Sequence, residues 1–291
     1  MQEISTIKPA IKLVECPRDA MQGWQHFIPT EKKISYINEL LKVGFDTIDF
    51  GSFVSPKVIP QMADTVEVLK GLKVEKNKTK LLAIVANLRG ATDAVVYDEI
   101  TYLGFPFSIS ETFQQRNTNS SILRSFDAVS EIHNLCIKNQ KQLVVYISMG
   151  FGNPYGDEYN ESIVMHWVGK MAELDIKIVS LADTVGLAKP EQVTSVLDKI
   201  IPAFPSTEIG VHLHSAPHNR TQKLDAALNA GCIRFDSAIK GIGGCPMAGD
   251  ELVGNMDTEI MVEHFKSTGL DVKLNLQQLA TCNQLAAGIF I

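Results

Sequence analysis

With 291 residues, 45% of them hydrophobic and 21% charged, the chain has the composition of a water-soluble globular protein with enough material for one large core. A formal charge of −6 denies it the basic face that a nucleic-acid binder needs, no stretch has the uninterrupted apolar length of a membrane span, and residues 1–8 lack the apolar centre of a signal peptide. The five cysteines, Cys16, Cys136, Cys232, Cys245 and Cys282, are odd in number and form no Cys-x-x-Cys pair, so the expectation is reduced thiols in a cytoplasmic protein.

In chain order, β-rich runs stand at residues 11–15, 47–50, 81–85, 99–103, 143–147, 176–181, 209–213 and 233–237. Between them lie amphipathic segments, among them 31–43, 120–139, 159–174, 190–201 and 219–230, several preceded by Ser, Thr, Asp or Asn suited to capping. No Pro/Gly/Ser-rich linker or low-complexity tract divides them, so one domain over residues 1–291 is expected. Eight strands each followed by a helix, in a chain somewhat above the typical ~250 residues, predict a (β/α)8 TIM barrel with a short C-terminal helical extension. The alternative, a doubly wound open sheet, requires a Gly-rich phosphate turn after an early strand; the first strand here runs into Cys16-Pro17-Arg18-Asp19 instead.

A barrel gathers the C-terminal ends of its strands at one rim, so polar residues there are candidates even when far apart in sequence. The first strand delivers Arg18 and Asp19, the second Asp49, the fifth Tyr146 and Ser148, the sixth Ser180, Asp183 and Thr184, and the seventh His212 and His214. The loop after the eighth brings Gly243-Gly244-Cys245-Pro246 and then Gly254-Asn255. His212 and His214 share one face of their strand, because the side-chain period there is two. Taken alone, such a pair is better explained as ordinary strand histidines satisfied by backbone carbonyls. Together with the Asp19 carboxylate and the Asn255 amide oxygen they form an N/O ligand set suited to Mg²⁺, Mn²⁺, Co²⁺ or Zn²⁺. Arg18 as a surface ion pair, and Asp19 and Asp183 as caps, are the alternatives, and all would have to coincide at one rim.

Five stretches carry a likeness to a known family: the run from Val14 to Gln22, the block beginning Gly51-Ser52-Phe53-Val54-Ser55-Pro56-Lys57, the pair Asn87-Leu88, the run Ser180-Leu181-Ala182-Asp183-Thr184-Val185-Gly186, and Gly241-Ile242-Gly243-Gly244-Cys245-Pro246 with Gly254-Asn255. In register over most of the chain, they resemble the hydroxymethylglutaryl-CoA lyases, metal-dependent barrels that break bonds next to a carbonyl. The resemblance implies that Asp19, His212, His214 and Asn255 hold a divalent ion, with His212 also catalytic. It implies that Arg18 polarises the thioester oxygen, that Asp49 is a catalytic carboxylate, that Asp183 assists proton transfer from the tertiary hydroxyl, and that Cys245 rides a loop closing over an acyl-CoA substrate. Tyr146, Ser180 and Thr184 are substrate contacts or barrel-lining residues, and Gln22 joins them as a substrate contact. A homodimer is the expected assembly.

The chain also departs from that family. Ser215-Ala216-Pro217-His218 replaces an acidic residue and a small flexible pair after the second histidine, which predicts a less acidic, more rigid rim and an altered acyl preference. Asp49 stands where Glu is usual, one methylene shorter. Gln114 and Gln115 replace lysines after the fourth strand, weakening the expected hold on CoA phosphates. The stretch from Pro246 to Gly254 is longer and more acidic. Rival readings are a hydroxy-keto-acid aldolase of the same barrel group, a condensing synthase of that group, the latter disfavoured because only about 50 residues follow Gly241, and a non-catalytic barrel that merely binds acyl-CoA or metal.

Overall fold

The computed structural model describes residues 10–75, 78–244, 253–270 and 272–291. Eight parallel strands, β1 (Lys12–Glu15), β2 (Thr47–Ser52), β3 (Lys80–Ile84), β4 (Ile100–Ser108), β5 (Gln142–Ser148), β6 (Ile178–Asp183), β7 (Glu208–Leu213) and β8 (Arg234–Ser237), pair in sequence order and close into a barrel. Closure is made by β1 against β8, where Lys12 to Glu15 pair residue for residue with Arg234 to Ser237. Every expected strand is present. The ends differ where local chemistry hid them: β4 continues through Gly104 and Pro106, which read as breakers, because Tyr102 to Ser108 pair residue for residue with Gln142 to Ser148 of β5, Pro106 standing opposite Tyr146. β6 extends to Asp183.

The outer shell comprises α1 (Pro17–Gln22), α2 (Thr30–Leu40), α3 (Thr65–Gly71), α4 (Leu88–Ala94), α5 (Glu111–Thr118), α6 (Ile122–Lys138), α7 (Glu161–Glu173), α8 (Pro190–Ala203), α9 (Arg220–Asn229), α10 (Thr258–Ser267) and α11 (Leu276–Ile289), the last two forming the expected C-terminal extension. Their starts follow capping chemistry: Asn87, Ser110, Ser121, Asn160, Asp257 and Asn275 each accept a hydrogen bond from a backbone N–H in the first turn. The short helices α1, α3, α4 and α5 escaped the periodic reading because 6 to 8 residues hold too few turns to show a face. No helix among the described residues is long and apolar enough to cross a membrane.

The main core fills the space between strands and helices, while Leu82, Tyr102, Val144, Tyr146 and Ile178 form a smaller cluster. At the opposite end from the strand C-termini, the fully buried Arg234 guanidinium meets Asp46 at 3.4 Å and Glu208 at 3.3 Å. Gly210 packs closely beside it, a Cβ there falling 3.0 Å from the Arg234 side chain. The polar residues at the other end are thereby left to form a site.

Candidate active site

Arg18 and Asp19 reach the rim because Pro17 starts α1 immediately after β1, with φ preset for the first helical position. Arg18 is buried and almost fully committed. Its Nε donates to Asp49 Oδ1 at 3.2 Å and Oδ2 at 3.0 Å, one Nη2 hydrogen also goes to Asp49, and Nη1 donates to Asp19 at 3.0 Å and to Gln22 Oε1 at 2.8 Å. Of five N–H groups, one on Nη2 keeps no partner among the described residues. Gln22 in turn donates to Asp19 at 2.7 Å.

The two carboxylates beside Arg18 are driven apart. Burial pushes Asp49 up to about 6, only partly offset by Arg18. Asp19 is buried too, but Arg18, the two imidazoles and the Asn255 amide outweigh that and hold it down at about 2. One is poised near neutrality and the other is a permanent anion.

His212 and His214 project from the end of β7 with ring centroids 5.2 Å apart. The ligand atoms of Asp19, His212 and His214 all lie within 4.8 Å of one another. His212 Nδ1 faces Asp236 Oδ2 at 3.1 Å, which fixes the tautomer that leaves Nε2 free for the cluster. Burial lowers the basicity of His212, but the hydrogen bond and charge of Asp236 outweigh it and raise its pKa. Burial, with the neighbouring His212 charge, depresses His214 to about 4, so that ring is neutral at physiological pH. Its Nε2 is buried without a hydrogen-bond partner. A neutral imidazole with an orphaned ring nitrogen beside a fixed carboxylate fits a divalent cation, and among the described residues no protein group satisfies that nitrogen instead.

The amide nitrogen of Asn255 braces the carboxylate: Nδ2 donates to Asp19 Oδ2 at 2.7 Å and to the Ile242 carbonyl at 3.0 Å. Gly243, at φ 111°, makes room for it, since a Cβ there would come within 2.5 Å of that amide. Arg18, Asp19, Gln22, Asp49, Tyr146, Ser148, Thr184, His212 and His214 all border one cavity, whose other wall is apolar and includes Val54, Ile59, Ile84 and Phe113. Tyr146 stands edge-on to His212 at 6.0 Å with its hydroxyl buried and unpartnered.

Three expected residues, Asn255, Asp183 and Ser180, do not border this cavity. The strand period of two turns Ala182 and Thr184 inward and Asp183 the other way. Asp183 is 2% exposed, with Oδ2 accepting from Lys223 at 2.6 Å and Oδ1 from the Ala188 N–H at 3.0 Å, so it is a buried counter-ion rather than a base at the rim. Ser180 shares the parity of Ala182 but lies one layer deeper, opposite Tyr146 and Gly210, with its hydroxyl fully buried. The stretch 215–218 also fails to form the rim: Ser215 is buried, bonded to the Gly254 carbonyl at 3.0 Å and to Arg220 at 3.1 Å, and none of the four residues borders the cavity. Cys245 and most of the following loop lie outside the described residues. Cys16 remains a packing residue, its thiol pushed far up by burial and by Asp236, Asp49 and Asp19.

Asp236, Lys223 and Glu15 were missed by sequence reading. Asp236 carried a signal, an acidic residue inside an apolar strand run, whereas Lys223 resembled any charge on a helix face.

A closed β/α barrel whose C-terminal rim joins Asp19, His212 and His214, a group that could hold a metal ion, to a buried Arg18–Asp49 pair has the layout of a barrel enzyme. The chain belongs to the HMGL-like family, whose model matches residues 10–286. It is 33% identical over 266 residues to a hydroxymethylglutaryl-CoA lyase of Bacillus subtilis, covering 90% of this chain and 87% of that one. It is 31% identical to the mitochondrial hydroxymethylglutaryl-CoA lyase of Mus musculus, covering 99% of this chain and 86% of the other. Among solved structures it is similar to an HMG-CoA lyase from Acinetobacter baumannii in complex with coenzyme A and 3-methylmalate, with a TM-score of 0.92, 30% identity, and coverage of 99% of this chain and 93% of that one.

Proposed function

We propose that this protein is a divalent-metal-dependent carbon–carbon lyase that splits 3-hydroxy-3-methylglutaryl-CoA into acetyl-CoA and acetoacetate. The observation that carries the reading is the convergence of Asp19, His212 and His214 beside the Arg18–Asp49 pair, in a chain that matches the lyases from end to end. Asp19, His212 and His214, with Asn255 as fourth donor through its amide oxygen, would hold Mg²⁺ or Mn²⁺, or Co²⁺ or Zn²⁺, and a cation there lowers the pKa of the substrate's tertiary hydroxyl.

The protein's own groups supply the rest. Asp49, held near 6 by burial, is the cavity carboxylate best matched to take the hydroxyl proton at neutral pH. As the carbon–carbon bond breaks, the alkoxide carbon becomes the ketone of acetoacetate, the bond's electron pair moves into the thioester as an enolate, the uncommitted Nη2 hydrogen of Arg18 meets the oxygen where that charge develops, and the proton taken by Asp49 passes to the enolate carbon to give acetyl-CoA and restore the carboxylate. Because the same guanidinium holds Asp49 and Asp19, base, anion and oxyanion donor are fixed relative to one another. Tyr146 and Thr184 contact the substrate's polar end, and Val54, Ile59, Ile84 and Phe113 receive its apolar portion. We read the working form as a cytoplasmic homodimer of a single catalytic domain. The buried, unpaired Cys16, Cys136, Cys232 and Cys282 support a reducing compartment, and light scattering tests the assembly.

The deciding assay strips the protein with a chelator and follows acetyl-CoA release from 3-hydroxy-3-methylglutaryl-CoA, and from longer and shorter 3-hydroxyacyl thioesters, before and after adding Mg²⁺ or Mn²⁺. Metal-restored cleavage that favours the hydroxymethylglutaryl thioester is expected, since residues 215–218 lie away from the cavity. Folded, metal-replete protein that releases no acetyl-CoA refutes the reading.

A further inference from the structure

Lys223 lies in the first turn of α9, the end of a helix where a cation is unfavourable, and its side chain is 0% exposed. A buried ammonium in that position persists only if its surroundings compensate it. Here they do so completely: its three N–H donors go to Asp183 Oδ2 at 2.6 Å, the His214 carbonyl at 2.8 Å and the Gly186 carbonyl at 3.2 Å. One ammonium thus ties the end of β6, the turn after it and the backbone of a candidate metal ligand.

The tie reaches further. His214 forms an antiparallel bridge with Asn255, whose amide holds Asp19. Gly186, at φ 73°, abuts Val253, a Cβ there falling 2.8 Å from that side chain, while Ser215 N–H bonds to the Gly254 carbonyl at 3.0 Å. The segment carrying Asn255 therefore rests on the two turns that Lys223 holds together.

We propose that Lys223 is a positioning residue for the metal site: through the His214 carbonyl and the Asp183–Gly186 turn it sets the His214 imidazole, and through the 253–255 segment it sets Asn255 against Asp19. This rests on the functional reading above, and it gives Asp183 the role of anchoring Lys223. No covalent chemistry is involved. The effect is a pre-organised ligand set whose orientation does not have to be won on binding.

The test is a titration of chelator-stripped protein with Mn²⁺, read from the electron paramagnetic resonance signal of free Mn²⁺, alongside thermal melting and steady-state kinetics. Lys223→Met should weaken Mn²⁺ binding on the order of 10- to 100-fold and lower kcat/KM with it, recovering toward wild type at high metal concentration. It also strands the buried Asp183 charge, which destabilises the fold for reasons unrelated to the site. The double variant Asp183→Asn, Lys223→Met removes both charges and should regain the melting temperature while Mn²⁺ binding stays weak. Recovery of stability and affinity together in the double variant would mean that Lys223 is only structural, and unchanged affinity in either folded variant overturns the proposal outright. Wild-type protein that binds no Mn²⁺ overturns the metal-site reading itself, and this one with it.

Discussion

Glu15→Gln probes a buried acid that the reaction does not use. Glu15 ends β1 with 0% exposure, accepting the Ile239 N–H at 2.8 Å and facing the Thr258 hydroxyl at 2.6 Å. Thr258 has one hydroxyl hydrogen, yet Ser237 Oγ also lies within 2.9 Å of it. If the carboxyl keeps its proton and donates it to Thr258, Thr258 can donate to Ser237 and every partner is satisfied. Burial, aided by Glu259 and Asp257 and opposed by the Thr258 and Ile239 hydrogen bonds, pushes the Glu15 pKa from its ordinary 4.5 to about 8. Below 4.5 both folded and unfolded chains hold the proton and folding carries no penalty. As pH rises, the unfolded chain ionises while the folded one does not, so stability falls by about 1.4 kcal/mol per pH unit until the folded pKa is passed. The loss is on the order of 4–5 kcal/mol in all. Glutamine is neutral at every pH, accepts from Ile239 and donates to Thr258, so it should abolish that slope. Melting curves of wild type and variant should coincide near pH 4.5 and separate by roughly 5–10 °C at pH 8, the variant being the more stable. A difference independent of pH, or a variant less stable at pH 8, would refute a neutral Glu15.

Arg18→Met should lower kcat on the order of 10²-fold or more with little change in KM, because the oxyanion it meets scarcely exists before the bond breaks; a rise in KM alone would make Arg18 a binding residue. Asp236→Asn should weaken divalent-metal binding roughly 10- to 100-fold by loosening His212, measured by calorimetry on stripped protein, and wild-type affinity would exclude the orienting role. Replacing both His212 and His214 by Ala should abolish metal and activity together, and stoichiometric metal in elemental analysis of that variant would place the ion elsewhere.

The barrel was legible from order alone. Eight apolar β-rich runs separated by amphipathic segments admit few arrangements, since parallel strands need crossover helices and β1 must meet β8 to remove the open edges. Arg18, Asp19, Asp49, His212 and His214 were equally legible, because they follow or end strands and a barrel assembles strand ends whatever their distance in sequence. What sequence could not decide was direction and depth. Asp183 and Thr184 are adjacent, yet one pairs with a buried lysine and the other borders the cavity, a difference set by strand parity once β6 is known to end at Asp183. Ser180 has the right parity and the wrong layer. The pairings that tune the site, His212 with Asp236, Lys223 with the His214 carbonyl and Asn255 with Asp19, join residues 24, 9 and 236 positions apart. Only the folded barrel brings them into contact, because a hydrogen bond depends on ångström-scale approach that no spacing along the chain encodes.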